Sequence, residues 1–379
     1  MVLGIDGLSI SVGGGLQHLI KILSYKEIIK KYGIRKVIVW GNEMLINRLT
    51  ESNLIELVCI NNNDLLSRTI WQKYIFAKLA KEKCDVIFAP GGIFINNFRP
   101  YVTMFHNMQV FDKNARQLEG ISFLRLKFFL LRYFQGYSFS NANGLIFLSN
   151  HAKDYLHTNY NRIAIKTKNT LIPHGVDENN IIIQNKKYNN HNSYTPLKIL
   201  YVSTVKSYKH QWNLIDAISL LIKKGYNVEL HLIGDGDYKF ISRMKKSIAK
   251  VNNNEKRVFY HGKMEHEELK KYYKSADIFA YVSSCENLPI IVLEAMSYGL
   301  PIASSNLRPM TDIMGESALY FDHNDINSIE HTIEELINNV ELRKKISYEL
   351  FNKSKIYSWP VCADLTFSFI STIAKDYHC

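Results

Sequence analysis

Apolar residues in this chain gather into short runs separated by longer stretches of helical character. From the N-terminus the runs are VLGID, KVIVW, LVCI, DVIFAP, TMFH and GLIFLS, with an amphipathic segment reaching Tyr32 after the first. Such alternation predicts a parallel sheet flanked by helices. After Pro173 the sequence turns polar, NKKYNNHNSYTP from Asn185 to Pro196 reads as a loop, and the series restarts with LKILYVS, VELHLIG, VFYHG, DIFAYV and PIASS. The break places a boundary near residue 172. Two doubly wound α/β domains follow, 1–172 and 173–356, with ligands expected at the carboxyl ends of strands and in the cleft between domains. The remaining segment, 357–379, carries apolar residues at 361, 365, 369 and 373 after Pro360 and predicts a docked terminal helix.

Length agrees with this division, because 379 residues exceed one ordinary core. A composition of 46% hydrophobic and 22% charged residues is that of a soluble globular protein. No run of 18 apolar residues lacks charge, and MVLGID does not begin like a signal peptide, so a cytosolic protein is the simplest expectation. The cysteines, at 59, 84, 285, 362 and 379, form no CxxC pair, which argues against a disulfide framework or a zinc site. Charge changes the picture more. Residues 1–172 hold 22 Lys/Arg against 11 Asp/Glu, while 173–379 hold 25 against 24, so the net charge of +12 sits almost wholly in the first half. That asymmetry points to a polyanionic partner, a membrane surface or nucleic acid. FLRLKFFLLRYF, Phe123 to Phe134, sharpens the point: Arg125, Lys127 and Arg132 interleave with large apolar residues. The segment reads either as a basic amphipathic helix on an anionic bilayer or as a core helix with snorkelling basic ends.

Candidate chemistry concentrates in CENLPIIVLEAMSYGLP, Cys285 to Pro301, where Glu286 and Glu294 bracket an apolar run. Pro289 is a favoured first helical position, which puts Glu286 just before a helix N-terminus and Glu294 about two turns away. A helix N-terminus offers backbone N–H groups to phosphate; equally, Glu286 could simply cap and Glu294 be solvated or paired. SISVGGGLQHL supplies Gly13, Gly14 and Gly15 between the first strand and first helix, where backbone amides can approach a diphosphate or merely turn. The spacing is not GxGxxG, so the nicotinamide fingerprint fails. Lys206 and Lys209, in LYVSTVKSYKHQ, follow a strand of the second domain and suit either a leaving diphosphate or a solvated surface. His106, in TMFHNMQVFD, follows a strand of the first domain and is open to a structural or a catalytic reading.

Taken in order, these stretches resemble the retaining GT-B glycosyltransferases of family 4 over nearly the whole chain. ENLPIIVLEAMSYGLPI is similar to the family's E-x7-E motif, supported by Gly13 to Gly15, IPHGVD at 172–177, YKHQWNLIDAI from 208, LIGDGD from 232 and YSW at 357–359. The resemblance implies two Rossmann-like domains facing a cleft, with the terminal helix crossing back to the first. It implies transfer of a sugar from a nucleotide diphosphate sugar to a hydroxyl of a glycan acceptor, such as a polyprenyl-diphosphate-linked oligosaccharide in O-antigen or capsule synthesis. His106 and Glu286 would face the transferred sugar, and Glu294 the donor ribose. Gly13 to Gly15, Lys209 and the backbone after Glu286, at Asn287 and Leu288, would meet the diphosphate. The base would lie along His261 to Met264. Two departures stand out: Thr204 occupies the place of a usual Arg, with Lys206 a substitute charge, and Pro289 replaces a common Gly and has no N–H to give. Lys209 and helix N-termini would take the role of a cation, so no metal is expected, and no other cofactor is implied. The implied partners are donor, glycan or glycolipid acceptor, and an anionic membrane on whose cytoplasmic face the protein would sit peripherally. The alternatives are a GT-B phosphorylase or epimerase and a non-enzymatic polyanion binder. Without a recognisable nucleic-acid module, no nucleic-acid partner is expected.

Overall fold

The computed structural model describes residues 1–11, 13–61, 67, 70–118, 123–160, 167–177, 195–253 and 255–378, with the side chains of 123 and 124 left aside. Most of the loop expected at 185–196 lies outside the described residues. The chain forms two compact units, one of Met1–Arg116, Gly120–Gly175 and Tyr357–Cys379, the other of Gln117–Glu119 and Val176–Ile356.

In the first unit seven strands pair in parallel: β1 (Val2–Gly7), β2 (Lys36–Gly41), β3 (Ile55–Cys59), β4 (Val86–Ala89), β5 (Tyr101–Phe105), β6 (Gly144–Phe147) and β7 (Lys168–Leu171), in the order β3-β2-β1-β4-β5-β6-β7. Leu3 of β1 lies opposite Val37 on one side and Val86 on the other, so the central strands are covered on both edges. Their continuous apolar runs follow from burial on both faces as well. Trp40, Phe76, Phe94 and Tyr101 form the aromatic part of one core layer, with ring centroids 4.5 to 6.0 Å apart.

The second unit repeats the plan with β8 (Leu197–Val202), β9 (Val228–Ile233), β10 (Val258–Tyr260), β11 (Ile278–Tyr281), β12 (Ile302–Ser305) and β13 (Leu319–Phe321), in the order β10-β9-β8-β11-β12-β13. Strand order reverses between β1 and β4 in one sheet and between β8 and β11 in the other. At such a reversal the loops leaving the two strands diverge, and a crevice opens at their carboxyl ends.

Three expectations about elements need correction. Gly13 to Gly15 are not a connecting loop but the first turn of helix Gly13–Ser24. The connection is already closed upstream, where Ile10 N donates to Gly7 O and the Asn42 side chain donates to the carbonyls of Leu8 and Ile10. Pro289, still extended at φ −77° and ψ 105°, caps the helix Ile290–Ser297 rather than opening it. Glu294 therefore stands little more than one turn into that helix.

The third correction concerns helix Trp359–His378, which belongs to the first unit. Its buried face is Trp359, Cys362, Ala363, Thr366, Phe367, Ile370, Ile373 and Ala374, whereas Val361 and Leu365 are exposed. A strict four-residue spacing drifts about 40° per step around a helix, and small residues on the true face let the helix approach the sheet closely. At Gly175 a Cβ would fall 2.2 Å from Trp359 N, so only glycine fits where the chain passes the start of this helix.

Candidate functional site

In the second unit the loops leaving β8 and β11 meet. Ser284 N, in the loop after β11, donates to Tyr208 O, in the turn Ser207–Lys209 after β8, at 2.9 Å. This brings two side chains far apart in sequence into contact. Lys209 Nζ pairs with Glu286 Oε1 and donates to Tyr281 Oη at 2.9 Å. The same Glu286 oxygen accepts from Tyr281 Oη at 2.7 Å and from Ser283 Oγ. The Lys209 and Glu286 side chains are only 7% and 12% exposed, so their Coulomb attraction is weakly screened. Burial, reinforced by the Glu286 charge, holds the Tyr281 hydroxyl well above its ordinary pKa and keeps it a donor. Tyr201 Oη donates to Lys209 O at 2.6 Å and fixes the turn from beneath.

Glu294 stands apart from this pair, with partners of its own. It is buried, accepts from Tyr273 Oη at 3.0 Å on Oε2, and has His266 Nδ1 3.8 Å from Oε1. His266 Nε2 lies 3.5 Å from Asp177 Oδ2. The Asp177 contact raises the His266 pKa against the effect of burial, and Glu294 adds to the rise. Glu294 is thus neither solvated nor a cap, and Glu286 is a largely buried partner of lysine.

The other second-unit residues expected at a donor site lie as follows. Thr204 is exposed, and its carbonyl accepts from Gln211 Nε2 at 3.1 Å. Lys206 is partly buried, and its carbonyl accepts from Lys209 N. Asn287 and Leu288 are buried between Glu286 and the helix. His261 has both ring nitrogens engaged, with His231 Nδ1 at 3.1 Å and Tyr272 Oη at 3.2 Å, and its ring stacks on that of His231. It anchors the segment that leads to Met264 and the helix His266–Ser275.

In the first unit, His106 follows β5, and Gly15 lies against it. A Cβ at Gly15 would sit 3.3 Å from His106 Nε2. The His106 ring packs edge-on to His174 at 5.3 Å, and His174 Nδ1 is 3.1 Å from Nδ1 of the buried His18. Desolvation lowers His106 to a pKa of about 4 and His18 to about 3, and holds His174 well below its ordinary value. All three imidazoles are therefore neutral at pH 7.

Helix Phe123–Asn141 contains the basic, apolar segment Phe123–Phe134. Phe128, Gln135, Ser138 and Phe139 face inward, but Leu126, Phe129, Leu130, Tyr133 and Tyr137 are 40% to 66% exposed at helical spacing. Arg132 lies 5.4 Å over the Phe129 ring. Among the described residues, no helix is long and apolar enough to cross a membrane.

Sequence reasoning missed Tyr281, Ser283, Tyr273, His266 and Asp177. Asp177 lay within the quoted IPHGVD and was the one with a signal; the hydroxyl donors belong to no motif.

Two parallel sheets with a terminal helix belonging to the first unit define an α/β protein of the GT-B fold. Residues 183–352 match the family model described as glycosyl transferases group 1. An uncharacterized glycosyltransferase of Methanocaldococcus jannaschii is 27% identical over 233 residues, 61% of this chain and 60% of that protein. The O-antigen chain mannosyltransferase B of Escherichia coli is 26% identical over 167 residues, 44% of each chain. The matches thus span about half the length of these relatives. Among solved structures, Anabaena HepE in complex with UDP and glucose superposes with a TM-score of 0.70 at 15% identity, over 98% of this chain and 100% of that one.

Proposed function

We propose that the chain is a retaining glycosyltransferase that moves a hexose from a nucleotide diphosphate sugar to a hydroxyl of a glycan acceptor on a polyprenyl diphosphate, in the assembly of O-antigen, capsule or a similar surface polysaccharide. The observation that carries this reading is the largely buried Lys209–Glu286 pair at the β8/β11 switch point, with Glu294 in the helix that follows. Support for the donor class comes from the solved neighbour with UDP and glucose, and for the pathway from the E. coli mannosyltransferase.

In this reading Lys209 supplies the positive charge for the departing diphosphate, fixed in place by Glu286 and Tyr281 before the donor arrives. Preorganised charge of this kind stabilises the leaving group without reorganisation at the moment of reaction. The bond between the anomeric carbon and the diphosphate oxygen breaks while the acceptor oxygen bonds on the same face. The acceptor proton passes to the departing diphosphate oxygen. Glu286 orients the sugar and balances the developing oxocarbenium charge, and Glu294 accepts from the ribose hydroxyls. Neutral His106, with Gly13 to Gly15, serves the sugar and acceptor, and the base lies along His261 to Met264. Thr204 and Lys206 border the diphosphate. Lys209 and the helix start at Ile290 take the part of a cation, so turnover persists in chelator.

The exposed stripe of Leu126, Phe129, Leu130, Tyr133 and Tyr137, flanked by Arg125, Lys127 and Arg132, favours docking on the anionic cytoplasmic leaflet that holds the lipid acceptor. The test of mechanism is the anomeric configuration of the first-formed product by proton NMR. Retention of the donor configuration is expected; inversion contradicts the reading.

A further inference from the structure

We infer that His210 is a positioning residue that ties the turn carrying Lys209 to the loop carrying Glu286, and thereby sets the charge pair for the donor diphosphate; this rests on the donor-site reading above. Among the described residues His210 alone, apart from glycines, has a positive φ, 48° with ψ 35°. The left-handed region crowds the Cβ of any residue but glycine, a cost that a side-chain bond at this histidine offsets.

The ring does not serve its own helix: His210 is the N-cap of Gln211–Lys223, yet its side chain makes no cap bond. It reaches across to the other loop instead, where Nε2 lies 2.9 Å from Ser284 Oγ. Burial, with His323 and Arg243 nearby, lowers the His210 pKa to about 4, so the ring is neutral at pH 7. Ser284 Oγ is also 3.3 Å from Tyr208 O, to which it donates. The set is satisfied if the His210 Nε2–H donates to Ser284 Oγ and the serine hydroxyl passes on to the Tyr208 carbonyl. The imidazole is packed 5.0 Å from the His323 ring and 5.8 Å from Trp212.

Position in the chain gives this tether its consequence. Lys209 precedes His210 directly, and Ser284 adjoins Ser283, whose hydroxyl donates to Glu286. A shift of either loop therefore separates ammonium from carboxylate.

The experiment compares the parent with His210→Gly and Ser284→Ala by hydrogen exchange across 282–289, by melting temperature, and by calorimetric affinity for the best donor from a panel of nucleotide diphosphate sugars. Glycine suits the backbone at 210, so His210→Gly is expected to melt at or above the parent temperature. Exchange in 282–289 is expected to quicken and donor affinity to fall about tenfold, the scale of one hydrogen bond to a preorganised site. Ser284→Ala is expected to do the same without touching the φ of residue 210, and the double variant to be no worse than either alone. His210→Gly with parental exchange and parental affinity overturns the inference. So does a lowered melting temperature with affinity unchanged, which is the mark of a merely structural residue. Quickened exchange in a protein whose parent binds no nucleotide sugar upholds the tether and overturns the donor-site reading.

Discussion

Lys209 and Glu286 show why residue type alone was not enough to read the site. Lysine is abundant in this chain, and only the contact with Glu286 and Tyr281 separates Lys209 from the solvated ones. Removing one member of a buried pair leaves an uncompensated charge, so Glu286→Ala should lower stability by about 3 to 5 kcal/mol, measured by denaturant unfolding. Glu286→Gln keeps an acceptor for Tyr281 and Ser283, and should fold better than the alanine variant while still losing at least ~100-fold in kcat. The imidazoles of the first unit give a pH signature. His18 at about 3 and His106 at about 4 lie below the value near 6.5 of an unfolded chain, so the unfolded state takes up protons first as pH falls. Their contribution to stability is complete above pH 6.5 and is lost progressively toward pH 4 to 3. His266, raised by Asp177, works in the opposite sense, because its contribution is present in acid and lost as pH rises through its folded pKa. A melting series from pH 7 to pH 5 should fall, and His18→Gln should flatten it; an unchanged slope in that variant would count against a buried neutral His18.

Elements were legible where the pattern was strong. The runs from VLGID to PIASS correspond to β1 to β6 and β8 to β12, and strands buried on both faces, such as β4 and β11, are apolar throughout. The strands β7, KNTL, and β13, LYF, went unread: β7 is mostly polar with no buried position, and β13 has only three residues. The Lys209 contact with Tyr281 spans 72 residues, and strand order rather than any local spacing creates it. The face of helix Trp359–His378 was misread because its buried side includes Cys362, Ala363 and Thr366, which carry little hydrophobic signal. Phe367→Ala should therefore cost about 3 to 5 kcal/mol in chemical denaturation, while Val361→Lys should stay within roughly 0.5 kcal/mol of the parent. Helix Phe123–Asn141 was legible as basic and amphipathic, but which apolar residues stay outside depended on packing. Replacing Leu126 and Phe129 by glutamate should leave the melting temperature unchanged and reduce cosedimentation with anionic vesicles at least about tenfold, because burial of both apolar side chains is lost and charge is reversed.

At the scale of the whole molecule, the fold was readable from the two series of strands, and the resemblance to a glycosyltransferase family from the acids at 286 and 294. The hydroxyl and imidazole partners of those acids were not, because they are recruited by three-dimensional proximity. The excess charge of the first half, 22 basic against 11 acidic residues in 1–172, belongs to the same account as the exposed stripe, and vesicle binding should weaken with salt as the Debye length shrinks. The central claim is that the second unit holds a nucleotide diphosphate sugar through Glu294 and the Lys209–Glu286 pair. Its most direct test is the ligand-induced melting shift across a panel of nucleotide diphosphate sugars, UDP sugars first, on the parent and on Glu294→Ala. The account predicts a shift with at least one donor that the folded Glu294→Ala protein loses. A parent that shifts with no donor, or a variant that shifts as the parent does, would contradict it.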